Sequence, residues 1–262
     1  MLRERSPSLV SASQSAAASL LLTCPLRAAH RDSFAHGLLS MNVPRLIDRL
    51  AAARLCVLID AQADATAFEH LVTALFGAGV PMVQIRDKAA SDAVLLDRGR
   101  RAFALARQLN PAVPAIVTLN DRVDVAAAAG VDGVHVGEDD MPVAEARRLL
   151  GPDRIIGRTA HGVDEARAAL AAGADCLGIG PCFPSSTKAF DRQAPRDFLR
   201  DTAAEIPLPI FAIGGITPDR LSELAAIGLH RVAVSAAITA APDPAAAARG
   251  FLASLGSRPL GD

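Results

Sequence analysis

Residues 122–140 read RVDVAAAAGVDGVHVGEDD. Three local structures are written there in order. The Ala-rich start, 122–129, has the composition of a helix. Gly130 follows it, and glycine accepts the left-handed conformation that ends helices. DGVHV at 132–136 is a short apolar run with β-branched residues, which reads as a strand, and GEDD at 137–140 turns the chain back to water. Helix, glycine, strand and charged loop make up one repeat of an α/β fold.

The repeat recurs. GAGV at 77–80 and AAGADC at 171–176 again put Gly between an Ala-rich segment and an apolar run. Strand candidates lie at 55–59, 81–85, 114–119, 132–136, 154–157, 175–180, 209–214 and 230–235. Helical segments lie at 64–78, 91–109, 122–129, 142–150, 163–172, 195–204, 217–227 and 243–254, and Thr217-Pro218 supplies a cap and a first-turn proline for the seventh. The strands are nearly continuously apolar, as a parallel sheet covered on both faces requires. This alternation predicts an α/β fold, the (β/α)8 TIM barrel, as one domain over residues 43–262. Residues 1–42 differ: they are rich in Ser, Ala and Leu, with Arg3, Arg5, Arg27 and Arg31 against Glu4 and Asp32. Their apolar run, SLLLTC at 19–24, is short for a targeting segment, so we expect an N-terminal extension that is disordered or a true start at Met41.

Composition excludes several classes. Lys plus Arg number 27 against 28 for Asp plus Glu, a net charge of −1, so no whole-protein field attracts nucleic acid or a membrane surface. Trp and Tyr are absent, which removes the usual stacking platforms for bases. No apolar stretch reaches the roughly 20 residues that span a bilayer. Cys24, Cys56, Cys176 and Cys182 form no CxxC pair; Cys56 and Cys176 sit in apolar runs and read as buried thiols in a reducing, cytoplasmic protein. The expected partners are small molecules, and a homo-oligomer remains compatible with the sequence.

Polar residues collect where strands end, the functional rim of such a barrel. Gln84, Arg86 and Lys88 follow the second strand, Asn120 and Asp121 the third, and Glu138, Asp139 and Asp140 the fourth. Cations beside carboxylates suggest a Mg2+-bridged polyphosphate, the carboxylates holding the metal and the cations neutralising phosphate. Asp121 also suits a plain helix cap, and Glu138 and Asp139 compete with Asp140 for the metal. Thr159 can hydrogen-bond a substrate; His161 and His135 read as ordinary polar residues ahead of proton carriers. GPCFPSSTK at 180–188 ends in Ser185, Thr187 and Lys188, all donors to an anion. Gly214 and Gly215, then Val234 and Ser235, lie after strands seven and eight, where backbone N–H groups bind phosphate in many barrels.

QIRDK (84–88), ND (120–121), HVGEDD (135–140), IGRTAH (156–161), GPCFPSSTK (180–188) and AIGGI (212–216) stand in this order. Together they resemble the thiamine-phosphate synthase family, over about residues 45–255. The resemblance implies a transferase that joins a hydroxymethylpyrimidine diphosphate to a thiazole phosphate, or its carboxylated form, releasing pyrophosphate. It implies that Arg86, Lys88 and Lys188 act on the leaving diphosphate, and that Gln84, Asn120 and Thr159 hold the pyrimidine and its diphosphate. It implies further that Asp121 and Asp140 ligate Mg2+, that Ser185 and Thr187 bind the thiazole phosphate, and that Gly214, Gly215, Val234 and Ser235 meet it with backbone. Asp87, Glu138, Thr159 and Ser185 depart from the commoner Glu, Gln, Ser and Thr of that family. A thiazole tautomerase-like barrel, or a non-catalytic phosphate-binding regulator, is the alternative; Lys88, Asp121 and Asp140 weigh against both.

Overall fold

The computed structural model describes residues 43–61, 64–184 and 193–256. The expectations for residues 1–42 and for Ser185, Thr187 and Lys188 lie outside them. Eight parallel strands close in sequence order, β1 (Leu55–Ile59), β2 (Met82–Ile85), β3 (Ile116–Asn120), β4 (Gly133–Val136), β5 (Ile155–Ala160), β6 (Cys176–Ile179), β7 (Ile210–Ile213) and β8 (Val232–Val234), and β8 pairs back to β1. The helices that return the chain are α2 (Ala65–Gly77), α3 (Asp92–Leu109), α4 (Val123–Ala129), α5 (Val143–Leu150), α6 (Val163–Ala171), α7 (Arg196–Glu205), α8 (Leu221–Ala225) and α10 (Pro244–Gly256). The predicted TIM barrel is therefore the fold. No described helix is long and apolar enough to cross a membrane.

Alternation along each strand sorts side chains into two cores. Val57, Ile59, Val83, Ile85, Val117 and Leu119 face outward and pack on Phe68, Val72, Leu75 and Leu95 of α2 and α3. Each fully buried side chain of this kind contributes about 1.5–3 kcal/mol. Cys56, Met82, Ile116, Ile155, Cys176 and Phe211 face inward and fill the lower barrel. Below them lies α1 (Leu46–Ala52), which the periodicity of the sequence does not mark because it is only two turns long. Its Leu46 and Leu50, with Ala53, join the inner cluster and plug the N-terminal end of the cylinder.

The Gly-x-Asp of each AAGVDG-type motif proves to be a lock at that end. Asp132 accepts the Val117 N–H at 2.9 Å and an Arg107 N–H at 2.8 Å, with Arg49 at 3.5 Å. Asp175 repeats the arrangement with the Ile156 N–H at 2.7 Å and Arg147 at 2.5 Å. A carboxylate at the start of one strand thus takes a backbone donor from the strand before it and a guanidinium from the helix that leads into that earlier strand.

One expected detail is corrected. Thr217 precedes Pro218 as predicted, but a 3-10 turn (Pro218–Arg220) opens this segment and the Thr217 side chain does not cap it. The Arg220 N–H is taken by the Thr217 carbonyl at 3.1 Å, and the Thr217 hydroxyl turns to the Asp219 carboxylate. A further short helix, α9 (Ala236–Thr239), follows β8 and was not legible in the sequence.

Candidate active site

A cavity of about 980 Å3 opens at the C-terminal ends of the strands. Every expected site residue that lies among the described residues lines it: Gln84, Arg86, Lys88, Asn120, Asp121, Asp140, Thr159, Gly214, Gly215, Val234 and Ser235. Strand register explains why. Asn120 pairs with His135 and Thr159 with Gly178, so these positions share the upper interior layer. β5 runs to Ala160, beyond the apolar RIIG, which carries Thr159 into that layer on a strand. The floor beneath is apolar, with Leu58, Met82, Phe211 and Ile213.

One side of the cavity concentrates charge. Asp121 is the non-glycine residue with positive φ (63°) among those described, and its N–H is tied to the His135 carbonyl at 2.8 Å. Its carboxylate lies 3.5 Å from the Lys88 ammonium. Asp140 accepts the Gly137 N–H at 2.7 Å and faces Asp121. Burial, and then the shared contact with Asp140, push the Asp121 carboxyl above the ordinary carboxylate range, with Lys88 opposing. Asp121 is not the cap of α4, a position that Arg122 holds without a side-chain hydrogen bond. Glu138 and Asp139 line the rim but are exposed.

The loop carrying Arg86 and Lys88 is held from behind. Asp87 accepts the N–H groups of Ala89 (2.9 Å) and Ala90 (3.1 Å) and reaches Ala61 N–H at 3.3 Å. The shorter carboxylate at this departure from the family pattern therefore still organises its loop. Arg98, buried on α3, braces the same region through the Ala61 carbonyl at 2.9 Å.

His135 resolves in favour of a positioning role. Its Nε2 pairs with the Thr159 hydroxyl at 2.8 Å. Cβ atoms at Gly157 and Gly178 would come within 2.4 and 3.2 Å of its ring, so these glycines make its space. Burial first, then Arg158, with Arg86 adding and Asp140 opposing, push its pKa from 6.5 down to about 4. The ring is neutral near pH 7 and orients a hydroxyl instead of carrying charge. The sign of the linkage follows: a histidine depressed on folding binds more protons unfolded, so its stabilising effect is full above pH 6.5 and is lost as pH falls toward about 4. Melting midpoints of wild type and His135→Gln, measured across that window, should differ in slope, the wild type falling more steeply in acid. Parallel curves would show that His135 titrates as in the unfolded chain.

The opposite side of the cavity is a backbone cradle. Gly214 (φ 90°) and Gly215 (φ 62°) follow β7 in conformations that suit glycine. Cβ atoms there would meet Pro181 at 2.6 Å and the Pro184 carbonyl at 2.2 Å, so the loops after β6 and β7 touch backbone to backbone. Phe183 N–H donates to the Gly214 carbonyl at 3.1 Å, fastening the two loops together. The N–H groups of Gly214, Gly215 and Ile216 find no backbone acceptor among the described residues. Nearby, at the start of α9, the Ile238 and Thr239 N–H groups go to the Ser235 carbonyl, while those of Ala236 and Ala237 have no backbone acceptor among the described residues. Sequence reasoning missed Arg220, which lines this end, donates to the Gly215 carbonyl at 2.5 Å and lies 4.9 Å from the Phe183 ring centroid. An arginine after Thr-Pro-Asp carries no sequence signal beyond that of a first-turn surface residue.

A smaller cavity, about 210 Å3, lies at the other end of the barrel; Arg49 is the charged residue in its lining, with no carboxylate or hydroxyl.

Comparison with known proteins agrees with this fold. A family model described as thiamine monophosphate synthase matches residues 55–238. The thiamine-phosphate synthase of Anaeromyxobacter dehalogenans is 47% identical over 177 residues, 67% of this chain and 77% of that protein. Those of Rhodopirellula baltica (36% over 195 residues) and a Synechococcus (40% over 207 residues) are covered over 51% and 57% of their length, so this chain spans about half of each. The solved structure of a thiamine phosphate pyrophosphorylase from Pyrococcus furiosus superimposes with a TM-score of 0.69 at 29% identity, over 81% of this chain and 98% of that one.

Proposed function

The chain belongs to the thiamine monophosphate synthase family, and from that membership we propose that it is a thiamine-phosphate synthase. The reaction is alkyl transfer. The C–O bond at the pyrimidine methylene of 4-amino-2-methyl-5-(diphosphooxymethyl)pyrimidine breaks, and its electron pair leaves with pyrophosphate. The thiazole nitrogen of 4-methyl-5-(2-phosphooxyethyl)thiazole then bonds to that carbon; from the carboxylated form, the carboxylate also leaves as CO2. One observation carries the reading: a single cavity has two ends suited to anions, cations with a carboxylate pair beside β2–β4 and a backbone cradle beside β7. Two substrates, one with a diphosphate and one with a monophosphate, match that division.

The chain's own groups supply most of what such a reaction requires. Arg86 and Lys88 offset the charge that grows on the departing diphosphate. Gln84, Asn120 and the Thr159 hydroxyl, oriented by His135, hold the pyrimidine edge. The turn at Gly214 and Gly215, with Val234 and Ser235, fixes the thiazole phosphate and so aims the ring nitrogen. Asp121 and Asp140 would hold Mg2+. Their fit rests on the donor set: two facing carboxylates, with the proton affinity of Asp121 raised by burial and then by Asp140, suit a cation between them, and two oxygen ligands leave room for water and phosphate oxygens. The chemistry Mg2+ supplies there is neutralisation of diphosphate oxygens. The three described cysteines are free, in keeping with a cytoplasmic enzyme.

The test is direct. Purified protein, both phosphorylated precursors and Mg2+ should give thiamine phosphate and pyrophosphate in equal amounts, and chelation should stop it. A well-folded protein that makes neither product overturns the proposal.

A further inference from the structure

We propose that Arg220 is a positioning residue that keeps the monophosphate end of the cavity open to an anion and so governs affinity for the thiazole phosphate. This rests on the reading of the site as a thiamine-phosphate synthase. The tight turn at Pro218–Arg220 folds Arg220 back over the loop that precedes it. Its guanidinium there donates to the Gly215 carbonyl, five residues earlier, at 2.5 Å. In a planar trans peptide the carbonyl of one residue and the N–H of the next point in opposite directions. Holding the Gly215 carbonyl therefore fixes the Ile216 N–H on the other side, and Gly214, Gly215 and Ile216 all line the cavity. Their N–H groups have no backbone acceptor among the described residues. Glycine at 215 (φ 62°) makes this peptide easy to rotate, and a rotated peptide would present a carbonyl oxygen to the phosphate.

Arg220 suits the task better than a lysine would. Its guanidinium carbon lies over the Phe183 ring, on the loop after β6, 4.9 Å from the ring centroid, while one of its N–H groups holds the loop after β7. One side chain thus braces both loops that form this end. Only one of its five N–H groups is used on the Gly215 carbonyl, so its charge remains available to a bound phosphate. Among the described residues the other Lys or Arg side chains in the cavity are Arg86 and Lys88, which belong to the opposite side. A loss at Arg220 should therefore be felt by one substrate and not the other.

The experiment compares wild type with Arg220→Met and Arg220→Lys, varying each substrate separately and titrating thiazole phosphate and inorganic phosphate by calorimetry. Arg220→Met should raise the KM and Kd for thiazole phosphate by about tenfold or more, the scale of hydrogen bonds to a charged group. The KM for the pyrimidine diphosphate should stay within about twofold, as expected for a site with no shared contacts. Arg220→Lys should recover part of the loss. Unchanged thiazole phosphate affinity, or an equal rise in both KM values, overturns the proposal and makes Arg220 an ordinary structural residue. If Arg220→Met does not fold, the same comparison on Arg220→Lys decides. Should wild type make no thiamine phosphate, the functional reading fails on its own. Inorganic phosphate binding that weakens in the variants still upholds the role of Arg220, and binding indifferent to them removes it.

Discussion

Asp121→Asn is expected to lower kcat by roughly 10^2- to 10^3-fold, the scale of removing one group that stabilises charge in the transition state, while leaving the protein at least as stable as before. The two effects have one origin. Asp121 is held at a φ of 63° with its carboxylate against Asp140, and burial and that neighbour raise its proton affinity. A carboxyl whose pKa is raised on folding stabilises the fold below its unfolded value of 3.8 and loses that benefit as pH rises through the higher folded value. At neutral pH the ionised group is therefore a cost to the fold, which asparagine removes, and asparagine tolerates the left-handed region well. Mg2+ with inorganic pyrophosphate should raise the melting midpoint of wild type by ligand linkage and leave that of the variant nearly unmoved. Turnover within about tenfold of wild type, or a midpoint several degrees lower, would remove Asp121 from the proposed metal site.

Asp132→Ala should do the reverse, costing the fold about 3–5 kcal/mol without changing either KM. The side chain is 4% exposed and serves Arg107 at 2.8 Å, Arg49 at 3.5 Å and the Val117 N–H at 2.9 Å. Removing one partner of a buried pair leaves the others charged and unsatisfied, which accounts for a cost of this size. In a domain this large it corresponds to a fall of roughly 6–20 °C in melting midpoint. Asp175, 23% exposed and paired with Arg147, makes the same lock nearer to water, so Asp175→Ala should cost less. Thermal melts of both variants give the comparison; equal, small shifts would mean that the locks are ornaments of a barrel held by its apolar layers alone.

Much of this was legible beforehand, and the reasons are local. Repeats such as 122–140 carry helix, stop and strand within one stretch, and covered parallel strands are apolar enough to be seen. Residues at strand ends could be placed on one rim because connectivity alone puts them there. What escaped depends on three-dimensional return. Thr159 looked like loop because Arg158 and Thr159 are polar, although β5 continues through both. The left-handed Asp121 is set by the His135 carbonyl, a partner on the next strand that only the closed sheet brings within reach of the Asp121 N–H. Arg220 acts on its own preceding loop through a turn whose tightness no periodicity announces. Leu46 and Leu50 make sense only once a cylinder exists for α1 to stopper.

That stopper has a consequence for traffic. With the lower barrel filled by Leu50, Met82, Ile116, Ile155 and Phe211, the reaction chamber is a well with a single mouth. Whatever the chamber takes in or releases therefore passes one polar rim, where Lys88, Asp121 and Asp140 stand.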